Sequence, residues 1–419
     1  MIAARLTAFA AFVAGALANP VVLNRIAGPA GAIHVLWLTL LLWIGSAALL
    51  AFALWLALSR RAAAWLSTHW MPLAIVAGSA VVALVAAELA LNVYARLTRP
   101  RQMRVVNREF AYDISLNSDH FRDEEFQREK PPGETRVLLI GDSQIYGTGV
   151  PQNQTIPHLL QSRLRESTGE PYRVFNLGIA GATPADYADV AERFKDYAPD
   201  VVLVAVYPDN DVVDSESAIA WLKRREIYRV LDLTLNSLLE GCPYPWVRRY
   251  RAEPVYREAA CRAEMNPFLL ARAALPDNEA YYRELAQAFD ATPFVRENLL
   301  RIRQTFPKAR FAVVVLPSKY QTDTAYFPEL RKIGFTLPDH VLDDPVQRRM
   351  RAWAAAQGID LLDLLPPLRA ADAREGVALY HPIDNHFNPS GNAVIAGILH
   401  EWLMRAPSTG GGGDGLRMR

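Results

Sequence analysis

Between Val35 and Leu58 lie 24 consecutive residues without a charge, and a helix needs only about 20 to cross roughly 30 Å of hydrocarbon. The stretch predicts a spanning helix over 35–58 and ties the rest of the chain to a bilayer. A second apolar run, 73–93, is interrupted only by Glu88 and flanked by Trp70 and Tyr94, aromatic residues of the kind that settle at the membrane–water boundary. It predicts a second span. Ahead of both, Leu6–Ala18 is a shorter apolar run behind Arg5, which reads as a cleaved signal or as a weak first span closed by Asn19-Pro20. Both readings keep the short loop with Arg60 and Arg61 inside and place everything after residue 95 outside, in the periplasm or beyond. Arg96, Arg99, Arg101, Arg104 and Arg108 pull the other way under the positive-inside rule. The expected location is the cytoplasmic membrane, crossed more than once.

Residues 1–95 hold four basic side chains and one acid, whereas the whole 419-residue chain has 45 Lys+Arg against 44 Asp+Glu, a net charge of +1. The remainder is therefore a charge-balanced body long enough for a full α/β core. It has no surplus of basic residues to neutralise phosphates, which excludes nucleic-acid binding through a basic surface. Two cysteines exclude a disulfide scaffold or a multi-cysteine metal protein. Cys242 and Cys261 either bridge, which requires an oxidising compartment, or stand as two buried thiols. Glu88 reads as a functional acid at membrane depth or as a residue snorkelling at a span end.

From Arg136 the pattern becomes βαβα. Apolar, β-branched runs at 136–140, 172–176, 201–207, 311–316 and 359–363 predict buried parallel strands, and helical periodicity at 155–166, 185–197, 294–305, 346–357 and 390–405 supplies the crossovers. The expected architecture is a three-layer α/β/α sandwich. Domains follow as a membrane region 1–95, a polar irregular lead-in 96–135, a body 136–406 and a Gly-rich tail 407–419 expected to be disordered. An aromatic-rich insertion, 212–290, interrupts the body after the third strand. It reads as a lid or substrate-recognition subdomain, or as a packing elaboration or membrane-facing surface.

Working residues of such sheets lie at the carboxyl ends of strands. The first strand ends in Gly141-Asp142-Ser143-Gln144, a hydroxyl in a glycine-rich turn where Oγ can face a cleft and the Ser143 amide can face a developing oxyanion. The second ends in Asn176-Leu-Gly-Ile-Ala-Gly181, where glycine permits close backbone approach. The third ends in Tyr207-Pro208-Asp209-Asn210-Asp211, whose side-chain amide can donate to the same oxygen. Before the last helix, His381-Pro-Ile-Asp384-Asn385-His386 offers a general base with a carboxylate to orient it. Asp142, Asp209, Asp211 and His381 read as structural. None of the eight histidines pairs with acids or cysteines at metal-ligand spacing, and there is no Gly-Lys-Ser/Thr phosphate loop, so neither metal nor cofactor is expected.

These four blocks, in this order, resemble the SGNH superfamily of hydrolases, also called the GDSL family, over roughly residues 103–406. The resemblance implies a flavodoxin-like fold with Ser143 as nucleophile. It implies an oxyanion hole formed by the Ser143 and Gly181 amides with the Asn210 side chain, His386 as base and Asp384 as its partner. Two positions depart from the family pattern: Asp384-Asn385-His386 is one residue shorter than the usual Asp-x-x-His, and Pro208 stands where the third block usually has glycine. The expected function is a membrane-anchored serine esterase acting through an acyl-serine intermediate on O-acetyl or other short acyl esters of cell-envelope carbohydrate, or an acyltransferase using the same intermediate. The alternatives are a lipid esterase or thioesterase, and a non-catalytic glycan-binding or assembly component with the same fold.

Overall fold

The computed structural model describes residues 2–23, 25, 36–98, 100–212, 225–273, 278–322, 324–375 and 377–405. Val35, residues 213–224 and 274–277 of the insertion, and the tail 407–419 lie outside them. The chain divides into two units, Met1–Arg99 with Ser215–Arg249, and Pro100–Asp214 with Tyr250–Arg419. The insertion is thus shared between them.

In the first unit, helix Leu36–Leu58 and the 39-residue helix Arg60–Thr98 follow one another. Their segments Trp37–Leu58 and Ala64–Ala95 are the two among the described residues that are long and apolar enough to cross a membrane. Large apolar side chains such as Ile44, Ile75, Val82 and Leu89 stand exposed along them. The second helix starts well before the apolar run that begins at Leu73, because Pro72 is accommodated inside it at the loss of one backbone hydrogen bond. Helix Ile2–Leu17 packs along Leu36–Leu58, and the buried Ser46 hydroxyl donates to the Gly15 carbonyl at 2.7 Å. A Cβ on Gly15 would lie 3.1 Å from Leu49 and Leu50, so a small residue lets these helices approach closely.

Helix Glu226–Glu240 belongs to the same unit. Tyr228 is buried against Leu38 and tilts over Trp37 at 5.7 Å, while Trp37 Nε1 donates to Asp232 at 2.9 Å. Glu88 accepts from the Glu226 and Ile227 amides at 3.1 and 2.9 Å. Its carboxylate caps first-turn amides that have no partner inside their own helix.

The second unit opens with an antiparallel hairpin, β1 (Gln102–Val106) and β2 (Ala111–Ser115), where an irregular lead-in is expected from sequence. The two-residue alternation is present, with Tyr112 and Ile114 buried and their neighbours exposed, but dense flanking charge hides it. Five parallel strands follow: β3 (Thr135–Gly141), β4 (Tyr172–Gly178), β5 (Val201–Val206), β6 (Arg310–Val315) and β7 (Asp360–Asp363), in spatial order β4-β3-β5-β6-β7. Val137–Ile140 and Val201–Val206 are buried on both faces, as a sheet covered by helices requires.

The chain runs outward from β3 to β4 through helix Ile156–Thr168 and returns across β3 to β5 through helix Pro184–Arg193. Right-handed crossovers in opposite directions put these helices on opposite faces. Helix Pro389–Met404 packs beside the first and helix Phe294–Thr305 beside the second, giving helix, sheet and helix layers. Strand order reverses at β3, so the crevice beyond the carboxyl ends of β3 and β5 is where this topology places a site. Leu139, wholly buried in β3, is expected to cost about 2–5 kcal/mol when replaced by Ala, read as a lowered urea midpoint.

Candidate active site

Ser143 is the first residue of a one-turn helix, Ser143–Tyr146, set directly on the end of β3. Asp142 caps it by accepting from the Gln144 amide at 2.9 Å, and Gly147 closes it in the left-handed conformation. Burial pushes the Asp142 carboxyl up to about 6. The buried Arg122 guanidinium donates to the Gly147 and Val150 carbonyls and braces the turn from below.

The short helix lies against the end of β4. A Cβ on Gly178 would fall 2.1 Å from the Tyr146 amide nitrogen and 2.6 Å from the Ile145 carbonyl carbon. These are backbone atoms, so Gly178→Ala can be accommodated only by moving the turn that carries Ser143. We expect activity to fall about 100-fold with the protein still folded, since displacements near 1 Å cost that much in catalytic geometry. A comparison of kcat with the thermal midpoint checks this.

Gly181 follows at φ +76°, and Asn210 reaches the same turn, its Nδ2 donating to the Ala182 carbonyl at 2.8 Å and to Asp211 at 3.2 Å. Pro208 occupies the first position of helix Pro208–Asp211, where proline forfeits no intrahelical bond. Tyr187 donates to the buried Asp211 at 3.0 Å. Arg272, from the later part of the insertion, pairs with Asp209 at 2.6 Å and fixes the far side of this helix.

The loop before helix Pro389–Met404 is pinched by a Tyr380–Phe387 bridge. Within it, Asp384 Oδ1 accepts from the His386 amide at 3.0 Å and makes a short hydrogen bond with His386 Nδ1. His386 Nε2 lies 2.8 Å from Ser143 Oγ. One carboxylate oxygen thus serves both the backbone and the ring of the residue two positions on, which is how the shortened Asp-x-His spacing still reaches the imidazole. Burial alone would lower the His386 pKa, but the Asp384 carboxylate outweighs it and holds it above the ordinary imidazole value. Asp384 is held below the usual carboxylate range: burial opposes this, and His386 overcomes it. With Nδ1 bonded to a carboxylate, the neutral ring carries its proton there and offers Nε2 as acceptor to the hydroxyl.

His381 lies apart from this chain. Its ring packs on Phe110 at 4.7 Å, and burial pushes its pKa down to about 4.

Three residues not singled out from the sequence brace the loop that carries Asp384 and His386, and Gln144 ties it to the Ser143 turn. Gln144 donates to the Asn385 carbonyl at 3.0 Å and accepts from the Phe387 amide at 3.2 Å. Lys319, fully buried, has Nζ within 2.8–3.1 Å of the carbonyls of His381, Pro382, Ile383 and Asp384. Glu109, in the turn between β1 and β2, accepts from the Ile383 and Asp384 amides at 2.6 and 2.8 Å.

Burial pushes the Lys319 ammonium down to about 7, against the pull of the Glu109 and Asp384 carboxylates. Lys319 follows the carboxyl end of β6, a position strand-end reasoning would have flagged; the position of Glu109 has no such signal. Lys319→Met strips the donor from these carbonyls and is expected to cost on the order of 3 kcal/mol, seen as a lowered urea midpoint. An unchanged midpoint would contradict the clamp.

Among the described residues no group of three or more His, Cys, Asp or Glu side chains is arranged to hold a metal ion. The arrangement found is a hydroxyl, an imidazole and a carboxylate in one line, which can move a proton from Oγ to Nε2 while the imidazolium is stabilised by the carboxylate.

No protein-family model and no curated protein matches the chain. Similar solved structures include a lipolytic protein of the G-D-S-L family from Veillonella parvula, 12% identical, covering 65% of this chain and 99% of that one with a TM-score of 0.33. A lipase/acylhydrolase from Enterococcus faecalis is 14% identical, covering 64% and 95%, at 0.34. A two-domain esterase active on acetylated mannans is 12% identical, covering 65% of this chain and 49% of its own, at 0.35.

Proposed function

We propose that this chain is a membrane-anchored serine esterase of the SGNH type. The observation that carries the reading is the continuous Ser143–His386–Asp384 hydrogen-bond line at the carboxyl ends of the sheet. Ser143 Oγ attacks the ester carbonyl carbon as its proton passes to His386 Nε2. The carbonyl oxygen takes up the negative charge and is met by the Ser143 and Gly181 amides and by the Asn210 side chain, which must give up its 3.2 Å bond to Asp211 to donate there. Collapse of the tetrahedral intermediate breaks the bond to the alcohol, which leaves with the proton from His386. Water, deprotonated by the same imidazole, then releases the acyl group and restores Ser143; a sugar hydroxyl in place of that water gives acyl transfer.

For substrate we propose O-acetyl or other short acyl esters of cell-envelope carbohydrate, a class that follows from the resemblance to membrane-tethered esterases. We place the body outside the cytoplasmic membrane, with helices Leu36–Leu58 and Arg60–Thr98 as the anchor. The disulfide-bonded state of Cys242 and Cys261 supports that side, because such bonds persist in oxidising compartments.

Hydrolysis of p-nitrophenyl esters of increasing chain length, beside acetate release from acetylated polysaccharide, tests the substrate class. Preference for acetate supports it, and preference for long acyl chains supports a lipid esterase instead. The base must be neutral to accept the Ser143 proton, and the His386 pKa is raised. Activity is therefore expected to rise with pH through a midpoint above the ordinary 6.5. A kcat/KM profile between pH 5 and 9, roughly the range where imidazoles titrate, reads this directly.

A further inference from the structure

We infer that helix Glu226–Glu240 is an interfacial membrane helix, lying in the bilayer surface with its outer face in the acyl boundary. The inference rests on the membrane reading proposed above and adds a second, non-spanning membrane contact.

One face of this helix is sealed on the spanning helices by Tyr228 and Asp232, through Leu38 and Trp37. A different face carries Ile227, Val230, Leu231, Thr234 and Leu238, the i, i+3, i+4, i+7, i+11 spacing of one helical stripe. Val230, Leu231 and Leu238 on it are exposed, Leu238 to 75%. A stripe of this kind, on a helix already packed by its other side, calls for an apolar covering.

The attachment points say what covers it. Glu88 lies seven residues before Ala95, where the apolar segment ends, or about 10 Å along the helix at 1.5 Å per residue. Trp37 opens the other apolar segment, and since the first two turns of one helix bond both Glu88 and Trp37, both points mark the same membrane face. The helix is therefore tied at interfacial depth, where first-turn amides have little water to bond. Glu88 supplies them with acceptors, which accounts for an acid inside an otherwise apolar segment. The second spanning helix also exposes apolar side chains near the attachment point, Leu89 and Val93 among them, so the occupant is lipid.

Because the two native cysteines are disulfide-bonded, a single introduced cysteine is the one free thiol of the full-length chain. Leu231→Cys, Leu238→Cys, Arg229→Cys on the charged flank and Val82→Cys inside the second span are each nitroxide-labelled in phosphatidylcholine/phosphatidylglycerol vesicles. Relaxation by oxygen is compared with relaxation by a water-soluble nickel chelate. The expected result is a several-fold higher oxygen-to-nickel ratio at 231 and 238 than at 229, with 82 higher still. Water-like ratios at 231 and 238 with a lipid-like ratio at 82 overturn the inference and leave the anchor standing. A water-like ratio at 82 overturns both. Shielding of 231 and 238 from both reagents means a protein partner covers the stripe and likewise overturns it.

Discussion

Ser143→Ala is expected to lower kcat for a short aryl ester by on the order of 10⁴-fold or more, leaving only what the oxyanion donors and substrate binding supply. In the proposed mechanism the hydroxyl is the atom that forms the acyl bond, and its partner in the site is His386 Nε2. Removing it deletes one oxygen from a half-buried position and leaves the Asp142 cap, the Gln144 bonds and the Arg122 brace in place. The thermal midpoint should therefore hardly move. His386→Ala is expected to give a similar loss, and the double variant no more than either single one, because nucleophile and base act as a unit. Additive losses in the double variant would mean that the two residues do not share a step.

The second large effect is expected at Asp384. Its carboxylate holds the His386 ring by Nδ1 and, in the proposed mechanism, stabilises the imidazolium that forms during attack. Asp384→Asn presents an amide that can turn an N–H toward the ring, favouring the tautomer whose Nε2 carries the proton and cannot accept from Ser143. A fall of about 10⁴-fold in kcat is expected, with KM little changed. The pH profile should move as well. Asp384 is the main influence raising the His386 pKa, so in the residual activity the rising limb should shift to lower pH. Asp142→Asn is the useful contrast. Asp142 touches neither reacting atom, and its role as helix cap survives in Asn, so its kcat should fall far less. If Asp384→Asn retained most of its activity, the line from carboxylate to hydroxyl would not be the catalytic device.

Much of this site is visible in the sequence because its parts are local. A Gly-Asp-Ser turn after an apolar strand, a glycine block after the next and an Asn-Asp block after the third each need only strand-end reasoning to be found. Their convergence follows from parallel strands ordered β4-β3-β5.

The parts that escape are held by contacts distant in sequence. Lys319 binds carbonyls more than sixty residues away, and Glu109 meets amides near residue 383 across the fold; no periodicity records either pairing. The hairpin β1–β2 is masked in the sequence by its charges, although the alternation at Tyr112 and Ile114 is present. Glu88 shows the same limit from the other side. As a sequence feature it is a lone acid in an apolar run, and its partner amides at 226 and 227 come from a segment that reads as part of a single insertion. The division of that insertion between two units depends on tertiary packing, which its mostly helical pattern does not encode.

The most direct test of the central claim is labelling of the full-length protein, in detergent or nanodiscs, with a fluorophosphonate probe, followed by mass analysis of the intact chain and its peptides. The account predicts one adduct on Ser143, abolished in Ser143→Ala, strongly slowed in His386→Ala and blocked by prior turnover-inhibiting ester analogues. A folded protein that takes up no probe, or takes it up on a residue other than Ser143, would contradict it.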